Sequence, residues 1–219
     1  MLKAVIFDLD GTTVDIFETH LKAFQRVIEE QFNLNFTAED LMKGYGLRGD
    51  QIMDMFFEEK DIKADTRKLA LERSRIVEQT LGDDVKVLPG VRELLKELRE
   101  KGIKTAVGTS SNTSTTELVL KAAGLWQYFD AIATFNDVEN GKPNPDIFLK
   151  AAERLGAKPE DCVVLEDSPF GVQAARRAKM KVIAVTTGNH RREHLKKEKP
   201  NMIVDTLEVV NVHVLEGLF

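Results

Sequence analysis

The sequence predicts an α/β fold built on a mainly parallel sheet, with a small helical domain inserted after the first strand. Three observations predict it: short apolar runs rich in β-forming residues recur along the chain, amphipathic helical stretches separate them, and one long segment has helical patterns only. The chain has 219 residues, of which 42% are hydrophobic and 31% charged. A chain of this length can bury a core that needs neither disulfide nor structural metal.

The first predicted strand is KAVIFDL at residues 3–9, which is closed by Asp10-Gly11 and has the continuous apolar character of a fully buried strand. Four similar runs follow, at residues 103–109, 162–167, 181–187 and 201–205. Four helical stretches lie among them, at residues 91–102, 115–124, 145–156 and 169–178. This alternation predicts βαβ units and a sheet covered on both faces.

Glycine and proline residues mark the expected ends of these helices. Gly102, Gly124 and Gly156 stand where helix C-caps are expected. Pro89, Pro145 and Pro169 stand near first helical turns.

Residues 14–86 contain no comparable strand. Four helical stretches fill this segment, at residues 14–32, 38–43, 50–60 and 64–82, and Thr37 with Asp40 forms a capping box before the second. We therefore expect two domains: an α/β core at residues 1–13 and 87–219, and a helical domain at residues 14–86.

Composition excludes several classes of function. The net charge of −5 gives no general attraction for nucleic acid, and no apolar stretch approaches the length that spans a membrane. The single Cys162 excludes a disulfide framework and is expected to be a buried side chain in a reducing cytoplasm. No heptad seam is present, so a monomer is expected.

Polar side chains follow several predicted strands. In parallel sheets, ligands bind beyond the carboxyl ends of the strands. The first strand ends in Asp8 and Asp10, the second in Thr109, and the 162–167 strand in Glu166 and Asp167. A loop that contains Lys142 precedes the helix at 145.

This set of residues predicts metal-assisted phosphoryl transfer. Asp8 and Asp10 lie on the same side of an extended chain, and together with Asp167 they cannot all ionise without a cation such as Mg²⁺. We expect Asp8 to be the nucleophile and Asp10 the general acid and base. Thr109 and Lys142 would contact the phosphoryl oxygens. Asp167 would bind Mg²⁺, and Glu166 would be either a ligand or a partner of one.

The same residues carry a family resemblance. FDLDGT, the hydroxyl of Thr109, Lys142 in GKPNPDIF and the EDS at 166–168 resemble, in order, the four motifs of the haloacid dehalogenase-like superfamily of phosphotransferases. The subgroup is similar to beta-phosphoglucomutase and small-sugar phosphatases. The resemblance implies a Rossmann-like core, a mobile helical cap, and a metal ligand from the backbone carbonyl of Asp10. True dehalogenases of the superfamily lack the second aspartate of this motif. Its presence here as Asp10 disfavours dehalogenation.

The predicted cap offers substrate-binding candidates. Gly44–Gly49 matches GxGxxG, but it follows a helix, which favours a flexible loop presenting Arg48 over a dinucleotide site. In mutase-like relatives an arginine near this position holds the substrate's second phosphate. His20 is either close to the acid–base residue, as in those relatives, or a surface histidine. Arg73 is either a replacement for a substrate-contacting lysine of those relatives or part of an ordinary charged helix face, and its charged neighbours favour the second alternative.

Two polar residues that follow Thr109, namely Ser110 and Asn112, complete the substrate-binding candidates. We expect a Mg²⁺-dependent phosphatase acting on a small phosphate ester, plausibly a sugar phosphate. The alternatives are a phosphomutase with the same core, in which the cap excludes water, and a non-catalytic binding protein. The four residues Asp8, Asp10, Lys142 and Asp167 disfavour the last alternative, because all are present.

Overall fold

A six-stranded parallel sheet lies at the centre of the computed structural model, which describes residues 1–82 and 85–219. The strands, numbered along the chain, are β1 Ala4–Phe7, β2 Val14–Asp15, β3 Lys86–Val87, β4 Lys104–Gly108, β5 Ala131–Ala133, β6 Cys162–Glu166, β7 Lys181–Val185 and β8 Met202–Val204. The large sheet has the order β5-β4-β1-β6-β7-β8, and β2 pairs with β3 in a separate antiparallel ribbon. The predicted α/β fold with a mainly parallel sheet is confirmed.

Ten α-helices are described. They are α1 Phe17–Phe32, α2 Ala38–Gly44, α3 Gly49–Glu58, α4 Thr66–Thr80, α5 Val91–Glu100, α6 Thr113–Ala122, α7 Asp146–Leu155, α8 Pro169–Arg177, α9 Arg192–Lys197 and α10 Val212–Glu216. The three glycines expected at C-caps have positive φ, between +64° and +67°. In the described residues, no helix has both the length and the apolar character needed to cross a bilayer.

Both faces of the sheet are covered by hydrophobic clusters. Along β1, the side chains of Val5 and Phe7 join one cluster, and those of Ala4 and Ile6 join the other. This alternation follows from the two-residue period of a strand, and it explains why β1 consists of apolar residues throughout. Cys162 is a buried free thiol in the second cluster, as expected.

Helices α1–α4 share a third hydrophobic cluster of their own. Its aromatic rings pack against one another, and those of Phe24 and Phe36 are stacked with their centroids 5.1 Å apart. The expected capping box opens α2, because the Thr37 side chain accepts from the Asp40 N–H and the Asp40 carboxylate accepts from the Thr37 N–H. We propose on this basis to divide the chain into a core at 1–13 and 87–219 and a helical cap at 14–86.

Two short elements differ from the sequence-based expectation. Val14–Asp15 is a strand and not the start of the first helix, because it pairs with Lys86–Val87 where the chain enters and leaves the helical segment. The edge strand Ala131–Ala133 is absent from the sequence-based expectation, because three residues with a single β-branched side chain give no periodic signal and pairing with β4 alone defines the strand.

Candidate active site

The carboxyl edge of the sheet brings the predicted catalytic residues together. Strand β1 lies between β4 and β6, and Phe7 is in register with Val107 on one side and Leu165 on the other. Asp8 therefore lies beside the last residues of both neighbours, and its N–H donates to the Leu165 carbonyl at 2.9 Å. Parallel pairing alone aligns the three strand ends.

Lys142 connects two carboxylates at this edge. Its Nζ donates to Asp8 Oδ1 at 2.5 Å and to Glu166 Oε1 at 2.6 Å, and the side chain is only 1% exposed. Burial would lower the pKa of Lys142, but the adjacent carboxylates of Asp8 and Glu166 raise it instead. Lys142 is therefore a permanent cation next to Asp8.

Asp8, Glu166 and Asp167 form a buried acidic cluster in which one ligand atom from each lies within 4.8 Å of the others. Burial raises the pKa of Asp8 to about 7, against the opposing effect of Lys142. Burial and the neighbouring carboxylates of Glu166 and Asp8 also raise the pKa of Asp167 well above its ordinary value. One lysine does not balance three carboxylates, so the cluster has an excess of negative charge.

The donor set fits a hard metal cation. Within residues 1–82 and 85–219, the buried Asp167 Oδ2 has no hydrogen-bond partner, while Oδ1 accepts from Thr12 at 3.1 Å. The backbone of Gly11 and Gly188 lies so close that a Cβ at either residue would overlap the Asp167 carboxylate. Carboxylate oxygens in a tight backbone cradle are suitable ligands for such a cation. This acidic cluster could hold a metal ion.

Glu166 is placed differently from Asp167. Its Oε1 accepts from Lys142 and its Oε2 accepts from the Ser168 N–H at 2.6 Å. Both carboxylate oxygens are therefore already hydrogen-bonded, although one of them belongs to the acidic cluster.

Asp10 lies at the end of a second hydrogen-bonded network. Its Oδ2 accepts from Ser111 Oγ and lies 3.1 Å from His20 Nε2, and His20 Nδ1 lies 2.8 Å from Arg73 Nη1. Because a guanidinium can only donate, Nδ1 of His20 must accept, and Nε2 must carry a proton that it donates to Asp10. Although burial would raise the pKa of Asp10, the effects of His20, Ser111 and Arg73 lower it.

The surface interpretations of His20 and Arg73 are wrong. His20 is 4% exposed and Arg73 is 7% exposed, and the guanidinium of Arg73 lies over the Phe24 ring. Burial lowers the pKa of Arg73 to about 10. The charged neighbours in sequence point elsewhere on α4, and only the packing of α1 against α4 places Arg73 inward.

The remaining candidates lie around a cleft between the cap helices and the core. Thr109 Oγ1 accepts from the Ser111 N–H at 3.0 Å, and Ser110 Oγ donates to the Gly46 carbonyl at 2.9 Å. Asn112 caps α6 by accepting from the Thr115 N–H at 2.7 Å. Arg48 pairs with Asp50 and also donates to the Glu139 carbonyl at 3.1 Å, so it joins cap and core.

The loop at Tyr45–Leu47 is closed onto the core. The His190 Nε2 lies 2.9 Å from the Tyr45 carbonyl, and a Cβ at Gly46 would overlap Ser168. Beyond this loop, a cavity of about 460 Å³ lies between helices α3 and α4 and the loops after β4 and β5. Arg73, Ser110 and Ser111 line both this cavity and the smaller space at Asp8 and Asp10.

The sequence interpretation did not single out Thr12, Ser111, Asp50 and His190. Thr12 and Ser111 directly follow predicted strand ends, so the rule that located Asp8 and Thr109 could have found them. Asp50 lies two residues after Arg48, so its pairing with that candidate could also have been considered, whereas the contact of His190 arises only when the cap meets the core.

Comparison with known proteins places this geometry in context. A sequence model of the haloacid dehalogenase-like hydrolase family matches residues 5–185. A fructose-1-phosphate phosphatase of Escherichia coli (strain K12) is 36% identical over 181 residues, covering 83% of this chain and 95% of that protein. A putative pyrophosphatase of Caldanaerobacter subterraneus subsp. tengcongensis is 32% identical over 207 residues, covering 94% and 91% of the two chains. The solved structure of a beta-phosphoglucomutase from Clostridium difficile aligns with a TM-score of 0.88 and 25% identity, covering 100% of this chain and 97% of the other.

Proposed function

The chain belongs to the haloacid dehalogenase-like hydrolase family, and from this membership we propose that it is a Mg²⁺-dependent phosphatase. Its substrate is a small phosphorylated metabolite such as a sugar phosphate, and an aspartyl-phosphate forms on Asp8. The observation that carries the proposal is the position of Asp8, which contacts Lys142 and lies in the acidic cluster with Asp167. A carboxylate in this setting can approach a phosphate because cations offset the repulsion between the two anions.

The first step transfers the phosphoryl group to the protein. An Asp8 carboxylate oxygen attacks phosphorus, and the bond between phosphorus and the ester oxygen breaks. The leaving oxygen takes a proton from Asp10 and departs as an alcohol. Lys142 and the Thr109 hydroxyl stabilise the charge on the transferring phosphoryl oxygens.

The second step restores Asp8. Asp10 accepts a proton from water, the water oxygen attacks phosphorus, and the acyl-phosphate bond breaks to release inorganic phosphate. The lowered pKa of Asp10 keeps its carboxylate ionised, so that it can accept this proton. In the first step, the negative charge of the bound substrate would raise that pKa and so favour the protonated acid.

Asp8 and Asp167 would hold Mg²⁺, together with the backbone carbonyl of Asp10 that the family resemblance implies. The cation would supply charge stabilisation for the phosphoryl oxygens. The orphaned Asp167 Oδ2 supports this assignment within the described chain. Because both oxygens of Glu166 are hydrogen-bonded, we assign Glu166 as the residue that positions Lys142 rather than as a direct ligand.

The experiment measures phosphate release from a panel of small phosphate esters, including hexose 1- and 6-phosphates, with Mg²⁺ and with a chelator. We expect Mg²⁺-dependent release that Asp8→Asn reduces by about a thousandfold or more, because the amide is not a nucleophile. Asp54→Asn, an exposed aspartate on α3, is the matched control and should retain activity. Release that survives in Asp8→Asn would exclude Asp8 as the nucleophile.

A phosphomutase is the second candidate, and the alignment with a beta-phosphoglucomutase favours considering it. The closed loop at Tyr45–Leu47 could exclude water and leave a sugar hydroxyl as the acceptor. Conversion of a hexose 1-phosphate to the 6-phosphate without phosphate release would replace the first proposal with this one.

We further propose that the protein acts on its small-molecule substrate as a monomer in the cytoplasm, without nucleic-acid or membrane partners. The net charge of −5 supports the first exclusion. Light scattering on the purified protein would reveal a dimer as twice the chain mass of 24.6 kDa.

A further inference from the structure

The cleft beside the catalytic residues contains an arginine whose charge is already neutralised. Arg48 Nε donates to Asp50 Oδ1 at 3.1 Å, and Nη2 donates to Asp50 Oδ2 at 2.6 Å. A two-point contact of this kind is the strongest form of arginine–carboxylate pairing. The two side chains are 15% and 12% exposed, so solvent screens the pair only weakly.

Further contacts hold Arg48 in this position. Nη1 donates to the Glu139 carbonyl at 3.1 Å, and the guanidinium carbon lies 5.1 Å from the centre of the Phe135 ring. On the other side, a Cβ at Gly141 would overlap the Arg48 side chain. Asp50 is also fixed, because its Oδ1 accepts from the Gln51 N–H at 3.0 Å. Neither member of the pair is free to turn toward an incoming anion without breaking these contacts.

The other cations of the cleft lie at its two ends. Arg73 lines both the cavity and the smaller space at Asp8 and Asp10, so its charge lies on the catalytic side, where Nη1 contacts His20 and the buried Nε has no partner among the described residues. At the open rim Arg67 and Glu139 are both exposed and of opposite sign. Part of the wall is apolar, from Ala70, Leu71, Phe135 and Val138. An uncharged group fits this lining, whereas a phosphate would meet the Asp50 carboxylate.

We propose that Asp50 is a specificity-determining residue that neutralises Arg48 and so selects phosphate monoesters whose far end is uncharged, against bisphosphates. The proposal rests on the proposed phosphatase function and narrows its substrate class. It also bears on the mutase alternative, because moving a phosphoryl group between two positions of a sugar phosphate passes through a bisphosphate.

The test compares kcat/KM for two substrates that differ only at the far end, fructose 1-phosphate and fructose 1,6-bisphosphate, and repeats the comparison with glucose 1-phosphate and glucose 1,6-bisphosphate. We expect the unaltered protein to prefer the monophosphate by about tenfold or more, since the bisphosphate would bury a charge without a free partner. Equal or better use of the bisphosphate in both pairs would overturn the proposal.

Variants separate the charge of Asp50 from its structural contribution. Asp50→Asn should move the preference toward the bisphosphate by about tenfold, through KM rather than kcat, because Arg48 then has an unpaired charge. Asp50→Glu keeps the charge and should keep the original preference. Arg48→Gln added to Asp50→Asn should abolish the gain, and Asp54→Asn on the same helix is the control for a lost surface charge. An unchanged preference in a folded Asp50→Asn would overturn the proposal.

Failure of this inference is distinguishable from failure of the proposed function. Release of phosphate from the monophosphates or from p-nitrophenyl phosphate, with no change of preference in Asp50→Asn, overturns the role of Asp50 alone. No release from any ester overturns both. Circular dichroism of each variant identifies one that has not folded. If Asp50→Asn alone does not fold, the double variant Asp50→Asn with Arg48→Gln, which removes both charges, decides the outcome. A preference between monophosphate and bisphosphate equal to that of the unaltered protein agrees with a neutralised arginine, and a further loss of bisphosphate use contradicts it.

Discussion

Two aspartates separated by one residue have opposite electrostatic environments. Burial raises the pKa of Asp8 to about 7 against the opposing effect of Lys142. The negative charges of Glu166 and Asp10 contribute to the same increase. Asp10 is somewhat more exposed, and His20 and Ser111 lower its pKa through hydrogen bonds to the ionised form. The sequence places both carboxylates at the same strand end, but their different partners come from different elements. The raised pKa of Asp8 reflects the excess of negative charge in the acidic cluster, which a bound cation would offset.

At the same scale, Gly188 should control metal affinity. Gly188→Ala adds a Cβ that would overlap Asp167 Oδ2, so the carboxylate must move away from the proposed metal position. We expect the Mg²⁺ concentration for half-maximal activity to rise by about tenfold or more. Gly217→Ala is the control, because its new Cβ would meet its nearest atoms at an ordinary 3.4 Å. An unchanged Mg²⁺ titration would contradict the assignment of Asp167 as a ligand.

Cys162 should be chemically inert in the folded protein. Burial raises the pKa of its thiol to about 12, with a smaller contribution from Asp161, so the reactive thiolate is scarce up to at least pH 10. We expect alkylation by iodoacetamide at pH 8 to be slower than in urea by on the order of a hundredfold. Mass spectrometry can follow the reaction at this single cysteine. Similar rates with and without urea would show that the thiol is accessible.

At the scale of elements, the loop Tyr45–Leu47 links the helical segment to the core through main-chain atoms. Two of its carbonyls, at Tyr45 and Gly46, contact His190 and Ser110, which belong to loops after β7 and β4. Contacts to backbone carbonyls require a particular path of the chain rather than particular side chains in the loop. Closure therefore depends on the one residue whose conformation is special, Gly46, with φ of +103°.

Gly46→Ala should impair closure and lower kcat/KM by about tenfold to a hundredfold, because the added Cβ would overlap Ser168 and strain the backbone. Phosphate release and the Mg²⁺ titration, measured together, distinguish a closure defect from loss of metal. Gly102→Ala is the control: Gly102 also has positive φ, at +67°, but a Cβ there would meet no atom within 4 Å. Equal activity losses in the two variants would attribute the effect to backbone strain alone.

For the whole molecule, the buried acidic cluster should link stability to metal. Asp8, Glu166 and Asp167 repel one another, and a cation bound to the folded state alone stabilises that state. We expect Mg²⁺ to raise Tm at constant ionic strength, by about 2–4 °C for each kcal/mol of binding free energy. Calorimetry with and without a chelator measures the shift.

Asp167→Asn provides the complementary measurement. Removal of one buried charge relieves the repulsion, so this variant should unfold at a higher temperature than the unaltered protein when no metal is present. It should also lose most of the Mg²⁺ response. A lower metal-free Tm with an unchanged Mg²⁺ response would contradict a metal role for this cluster.

The sequence by itself determined the elements that follow from local pattern. Apolar runs predicted the long strands, and glycines predicted helix ends at which the structure has positive φ. Thr37 with Asp40 predicted a helix cap. Each of these predictions depends on residues close together in the chain. The candidates Asp8, Thr109, Lys142, Glu166 and Asp167 were also accessible, since parallel strands end at one edge of a sheet. The strands Val14–Asp15 and Ala131–Ala133 were not, because pairing with a distant segment defines them.

Only the tertiary structure decided which side chains of the helical segment face the core. Arg73 has the charged neighbours of a surface helix, yet it is buried against His20, because the packing of α1 on α4 fixes which side of the helix turns inward. The contact of Arg48 with the Glu139 carbonyl likewise joins residues far apart in the chain, whereas its carboxylate partner Asp50 is only two residues away. Local sequence specifies strands, caps and strand ends, whereas the charge state of a cleft depends on contacts that form only after the elements pack.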